Sequence, residues 1–347
     1  MAVKLVWHAS DLIETDWIRY LLGDLVEEEQ IDLGFTCFDD DAIHVISNNT
    51  SPPPSCDAYF SEYRTRCKRI ALTHVSDEYL SGGYRLYRHF DTVIRHGHTY
   101  YLTKCPGIVI MPLGYASGTR NSKRPADCRP YVWSFTGQAK ASRLDMINEL
   151  SGLEPALVIQ TPGLDDTSGK RLTKAEYNAV LEDTIFSPCP MGNAVLETWR
   201  LYESLELGCI PLVERRPTMD YYTNLFGPNP IPVVHDWRAA RDYIQATMLD
   251  KEFLLRLQGE IHRWWDSRKT TVRNQVRSII TGPSYNVELQ RYGGLLRNRS
   301  PVLHGGLRIL ELLRHQNVSS LRRRLLSPAG PLRRMADEGM QRFPKSV

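Results

Sequence analysis

Arg200 and Glu203 stand three residues apart in "SPCPMGNAVLETWRLYESLELGCIPLV", residues 187–213, and between them they carry groups that suit a nucleotide-sugar. A guanidinium offers two parallel N–H donors to a diphosphate. A carboxylate one turn on can accept both hydroxyls of a ribose. In front of them, Gly192 and Asn193 of "PMGN" separate a short apolar strand from a helical pattern over 195–207. Backbone N–H groups at a helix start bear partial positive charge and can receive a phosphate, and Gly192 permits close approach. Thr198, Leu201 and Leu205 form a separate stripe suited to packing under a sheet. The same spacing also suits a surface ion pair between Arg200 and Glu203, and spacing alone does not choose between the two.

Upstream lie candidates for proton transfer. Asp77 and Glu78 follow the apolar run "RIALTHV", at the carboxyl end of a strand, where ligand-binding loops of parallel sheets gather. Adjacent residues on an extended segment point opposite ways, so one of them can face a ligand; Asp77 is placed ahead of Glu78. Both also suit capping of the following turn. "VIRHGH" ends another strand with Arg95, His96 and His98. Arg95 can hold an acceptor phosphate or a donor pyrophosphate, and His96 is the rival base, although a lone histidine is more often structural. His8, closing "LVWH", is a further acceptor-side candidate.

The elements that must position these groups read as alternating strands and helices. Apolar or alternating runs at "AVKLVWHAS", "DLGFTCF", "AIHVISN", "DAYFSEY", "RIALTHVS", "TVIRHG" and "GIVIMPLG" are separated by polar or helix-like stretches such as 16–29. Gly, Pro, Ser and charge interrupt the rhythm at 115–130, as a linker does. Alternation restarts with "YVWSFTG", "ALVIQTPG", "TIFSPCP", "CIPLVE" and "IPVVHDW", with helices expected at 141–150, 174–182 and 195–207, and turns helical from about 251. The expectation is a pair of parallel α/β domains, 1–125 and 126–280, with a helical basic extension over 281–347 and the active cleft between the domains.

Composition narrows the class. With 347 residues, 42% hydrophobic and 24% charged, the chain has the size of two ordinary globular domains. No apolar stretch approaches the roughly 20 residues of a membrane span, and "MAVKLVWHAS" reads as a strand rather than a signal peptide. The cytoplasm or a peripheral membrane position is therefore expected, with a secretory lumen open to a chain whose targeting segment has been removed. Seven cysteines without CxxC spacing signal neither zinc nor a disulfide framework and are expected as buried free thiols. Net charge is +3, yet from Arg297 onward eleven basic residues face three acidic ones. "LRRRLLSPAGPLRRM" suits a solvated helix, or contact with an anionic membrane; no nucleic-acid motif accompanies it.

The stretch 187–213 resembles the donor-site signature of the exostosin-like glycosyltransferases, a "CP-G" turn followed by "E-x-x-R-x-Y-E-x-L-x-x-G-x-I-P-V", with Leu212 at the place of the last valine. Segments from Ile70, Val109 and Tyr131 are similar, in the same order, to the ribitol xylosyltransferase branch, so the resemblance covers about 70–240. It implies a GT-B fold of two facing Rossmann-like domains, a UDP-sugar held mainly by the second domain, an acceptor on the first, and inversion without an obligatory metal or cofactor. UDP-xylose is the candidate donor and a saccharide or polyol-phosphate the candidate acceptor. By the resemblance Glu203 holds the ribose and Arg200 the diphosphate. The turn at Thr136, Gly137 and Gln138 lies against the phosphates, with Arg143 as a second cation. Two rivals stand beside it. In "CFDDDA", Asp39 to Asp41 form the Asp-X-Asp pattern with which single-domain GT-A transferases hold a divalent cation, or else a solvated loop. The other is a non-catalytic UDP-binding subunit of a polysaccharide-assembly complex.

Overall fold

The computed structural model describes residues 3–10, 12–47, 56–78, 85–97, 102–140, 142–161, 171–216, 219–298, 309–310 and 313–314. They contain two parallel sheets. The first comprises β1 (Val3–Trp7), β2 (Val26–Ile31), β3 (Ala42–Ser47), β4 (Ile70–Val75), β5 (Thr92–Arg95) and β6 (Ile108–Ile110), in the order β2-β1-β3-β4-β5-β6. Every position of β3 and β4 is buried, because helices and loops cover both faces; such strands read as continuous apolar runs. α1 (Thr15–Leu22) covers one face through Trp17, Ile18, Leu21 and Leu22, and α2 (Cys56–Arg66) covers the other through Tyr59, Phe60 and Tyr63.

The second sheet comprises β7 (Tyr131–Gly137), β8 (Ala156–Gln160), β9 (Thr184–Cys189), β10 (Ile210–Glu214) and β11 (Val233–Val234), in the order β11-β10-β9-β7-β8. Its helices are α3 (Ser142–Leu150), α4 (Lys174–Glu182), α5 (Trp199–Glu206), α6 (Tyr221–Phe226) and α7 (Trp237–Leu249). The 31-residue α8 (Lys251–Thr281) then runs from this unit back to the first. Gln258 on it donates to the Gly208 carbonyl, Trp265 donates to Glu206 at 2.9 Å and stacks on Trp17, and Arg273 pairs with Asp24. α9 (Asn286–Asn298) follows, its first residue donating to the carbonyls of Arg88 and Phe90 beside the first sheet.

Four sequence expectations change. The helix expected over 16–29 ends at Leu22, and "VEEEQI" becomes the edge strand β2, where a single neighbouring strand leaves the glutamates in solvent. "DAYFSEY" is helical: Tyr59 and Tyr63, at i and i+4, share the buried face. "DLGFTCF" forms no strand, because the Asp32 carboxylate accepts the N–H groups of Thr36 and Cys37 and folds the segment into a turn. Cys128 is exposed and Cys37 partly so; the other five cysteines are buried, and all seven are free. No helix among the described residues is long and apolar enough to cross a membrane. The basic "LRRRLLSPAGPLRRM" lies outside the described residues.

Candidate functional site

A cleft of about 390 Å³ opens between the two sheets. Ser76, Asp77 and Glu78 reach it after β4, His96 after β5, Thr136 from the end of β7, and Gly192 and Asn193 after β9. These are carboxyl ends of parallel strands, where the chain must turn and side chains are released from sheet packing.

Arg200, in the first turn of α5, lies partly buried at the cleft wall. Its guanidinium stacks over Phe135, 4.4 Å from the ring centre, and Nη2 donates to the Thr136 carbonyl. Nη1 is buried with no hydrogen-bond partner. The backbone at Gly137 allows this seat, since a Cβ there would stand 2.9 Å from Nη2. Glu203, buried one turn on, accepts from Lys174 Nζ at 2.6 Å. The surface ion pair between Arg200 and Glu203 that spacing allowed is not formed.

α5 starts at Trp199 rather than 195, so the "PMGN" turn is not the helix start. Residues 193–198 form a loop instead, in which Glu197 points into the core. Its Oε1 accepts from the Leu113 N–H at 2.6 Å and from Tyr202, and its Oε2 accepts from Tyr221 at 2.6 Å. Burial raises the Glu197 pKa, opposed by these three donors. The loop brings Gly192 against the other domain: a Cβ there would meet Glu78 Oε1 at 3.1 Å, as well as the carbonyl oxygens of Val195 and Glu197 in its own loop at 3.2 Å. Thr136 Oγ1, Thr198 Oγ1 and Trp199 Nε1 join Arg200 Nη1 as buried, unpartnered polar atoms of cleft-lining residues. Buried polar groups without partners are rare, and their number among residues of one cleft suits a polar ligand.

Across the cleft, Asp77 Oδ2 accepts from Arg95 Nη2 at 2.8 Å, and neither side chain is exposed. Arg95 also donates to the His96 carbonyl and the Tyr87 hydroxyl. Its expected role as a phosphate ligand is therefore corrected: the guanidinium lies under the cleft floor, balancing Asp77. Glu78 accepts from the Asn193 N–H at 2.6 Å and from its side-chain amide at 3.1 Å, tying one domain to the other. His96 is buried, and neither ring nitrogen has a hydrogen-bond partner. Burial, then His74 and Arg95, lower its pKa to about 3, so the ring is neutral.

Other candidates fall elsewhere. His8 is buried outside the cleft, stacked on Phe35 at 4.3 Å, with Nδ1 against the Asp32 carbonyl and Nε2 against His44 Nδ1. Asp39 to Asp41 precede β3 and so lie at the amino ends of the strands, away from the cleft; Asp39 pairs with Lys4 at 3.0 Å, and Asp40 accepts the Lys68 N–H. Among the described residues no group of three His, Cys, Asp or Glu could hold a metal. Arg143 lines the cleft and donates to the Gln138 carbonyl at 3.2 Å; Gly137 and Gln138 stand behind it, outside the cleft lining. His98 lies outside the described residues. Sequence reasoning missed Thr198 and Trp199 as cleft-lining residues, although a threonine before a helix was a usable signal. It also missed Lys174, whose approach to Glu203 depends on how α4 packs beside α5.

No protein-family model matches the chain, and no curated protein is similar to it. Among solved structures it is similar to an α1,3-fucosyltransferase, with a TM-score of 0.51 and 14% identity over 82% of this chain and 92% of that one. Anabaena HepE in complex with UDP and glucose gives 0.49 and 8% over 81% and 99%. T4 phage β-glucosyltransferase gives 0.48 and 12% over 81% and 100%. Together with the two facing parallel sheets, the first likeness places the fold in the GT-B class. The single-domain GT-A architecture is thereby corrected to two domains.

Proposed function

We propose that the chain is an inverting glycosyltransferase that takes its sugar from a UDP-sugar, UDP-xylose being the candidate, and gives it to a saccharide or polyol-phosphate. The observation that carries this reading is the seat of Arg200: a guanidinium fixed on Phe135 and Thr136, with one buried donor unpaired, in a cleft between two Rossmann-like sheets. Arg200 and Arg143 supply positive charge for a departing diphosphate, and Thr198 adds a neutral donor. Glu203 receives the ribose hydroxyls once Lys174 shifts from it. The exostosin-like resemblance assigns the same two roles to Arg200 and Glu203. Fucosyl- and glucosyltransferase activities belong to the similar structures by name and support the reading only as company of fold.

For the base we assign His96 ahead of Asp77 and Glu78. Asp77 is held in a fully buried ion pair with Arg95. Glu78 is occupied by Asn193. The His96 ring is neutral, lines the cleft and has both nitrogens unbonded. A diphosphate anion bound nearby favours the imidazolium that forms as the acceptor hydroxyl loses its proton. Charge on the leaving group is met by arginines, so no metal is required.

Calorimetric titration with UDP, followed by a panel of UDP-sugars and mass spectrometry of the products, tests the proposal. Binding of UDP with transfer or hydrolysis of one donor is expected. No binding of UDP would end the reading, and binding without turnover would favour the non-catalytic subunit.

A further inference from the structure

Beneath the turn that carries Asp77 and Glu78 lies a carboxyl group that the mechanism above does not use. Glu14, immediately before α1, is fully buried. Its Oε1 accepts from the Ser76 hydroxyl at 2.9 Å, and its Oε2 is buried with no hydrogen-bond partner. Ser76 has a φ of 59°, in the left-handed region that non-glycine residues enter rarely and at a cost, chiefly where surrounding structure enforces it. On the opposite side Trp199 Nε1 stops short of a hydrogen bond to Glu14 yet favours its carboxylate form. Glu14 therefore touches the acceptor side of the cleft through Ser76 and stands beside the donor side at Trp199.

We infer that Glu14 is a positioning residue for sugar transfer: a buried carboxyl that, by accepting from Ser76, holds Ser76 in the left-handed geometry from which the turn presents Asp77 to Arg95 and Glu78 to Asn193. This rests on the reading of the cleft as a UDP-sugar site. Burial is the largest influence on Glu14 and raises its pKa, against the Ser76 hydroxyl, its own N–H and Trp199. Charged groups on the elements packed around it are Asp16 and Arg19 on α1, Asp77 and Glu78 after β4, and Glu197 and Arg200 beside Trp199. None of these is hydrogen-bonded to the Glu14 carboxyl.

Glu14→Gln, neutral at every pH and close in shape, is compared with Glu14→Ala and the unaltered chain by UDP release from UDP-xylose and UDP-glucose, by UDP calorimetry and by melting temperature. A carboxyl whose folded pKa lies above its ordinary 4.5 loses stability as pH rises from there to the folded value. The melting temperature of Glu14→Gln should therefore gain on that of the unaltered chain above about pH 4.5 and then level off. Glu14→Gln keeps a side-chain oxygen that can accept from Ser76 and should retain most of the kcat. Glu14→Ala should lose about tenfold to a hundredfold in kcat with UDP affinity unchanged. A folded Glu14→Gln as slow as Glu14→Ala, or full kcat in a folded Glu14→Ala, would each overturn the inference. Should the alanine variant fail to fold, the glutamine comparison decides alone. An unaltered chain that neither binds nor releases UDP sinks the donor reading and the positioning role with it; an active one matched by Glu14→Ala sinks only the role of Glu14.

Discussion

Arg200 and His96 show how a residue becomes available for chemistry by being denied partners inside the protein. Phe135 and the Thr136 carbonyl hold the guanidinium of Arg200 without using Nη1, so it reaches a ligand with little ordering left to do. Hydrogen bonds to charged groups contribute about 1.5–3 kcal/mol; Arg200→Ala should therefore weaken UDP binding by roughly tenfold to a hundredfold in calorimetry, with the melting temperature of the free protein little changed. Unchanged affinity would remove the diphosphate role. For His96→Gln, UDP affinity should hold while turnover falls by about 10²–10⁴-fold, the usual contribution of a positioned base. Because burial keeps the ring neutral down to about pH 3 in the free protein, kcat/KM should show no inflection near the ordinary histidine value of about 6.5. An inflection there that vanishes in His96→Gln would contradict the burial argument.

At the scale of elements, the strand ends and the loops after them do work that the helices do not. β4 delivers Asp77 and β5 delivers Arg95, and the two neighbouring strands place the ion pair where no solvent reaches. Removing one partner of a buried pair leaves the other charge uncompensated, at about 3–5 kcal/mol. Asp77→Asn is thus expected to lower stability in urea unfolding by roughly that amount, and any loss of transfer in this variant must be judged against its folded fraction. A change below about 1 kcal/mol, as for exposed pairs, would mean that Arg95 finds another counter-charge. The loop between β9 and α5 is the other working element. Gly192→Ala should disturb the Glu78–Asn193 contact, since its Cβ would press on Glu78 Oε1 and two backbone carbonyls; a raised KM for the donor is the expected readout.

The whole molecule depends on how the two sheets are held facing each other. Glu197, in the second domain, accepts the Leu113 N–H from the segment after β6, while two tyrosines of its own domain bind the same carboxylate. α8 and α9 close the arrangement from behind through Trp265, Arg273 and Asn286. Glu197→Ala leaves two buried tyrosine hydroxyls and the part-buried Leu113 N–H without their acceptor, each buried one worth about 1–3 kcal/mol. A loss of more than about 3 kcal/mol and a larger radius of gyration in solution scattering are expected; a variant with native stability would show that the domains are aligned without this link.

The sequence determined the domain pair and most of its strands, since parallel strands covered on both faces must be apolar along their length and betray themselves as runs. It also determined Arg200 and Glu203 as residues worth testing, because a short helix carries both in a fixed spacing. Tertiary structure decided their partners: Lys174 for Glu203, Arg95 for Asp77, Asn193 for Glu78, and none for His96. Aspartates at 39–41 and histidine at 8 had suitable chemistry in the wrong place, one set at the amino ends of the strands and the other under stacked aromatic rings. Which side chains meet across a cleft depends on the packing of elements far apart in the chain, and no local pattern of residues encodes that distance.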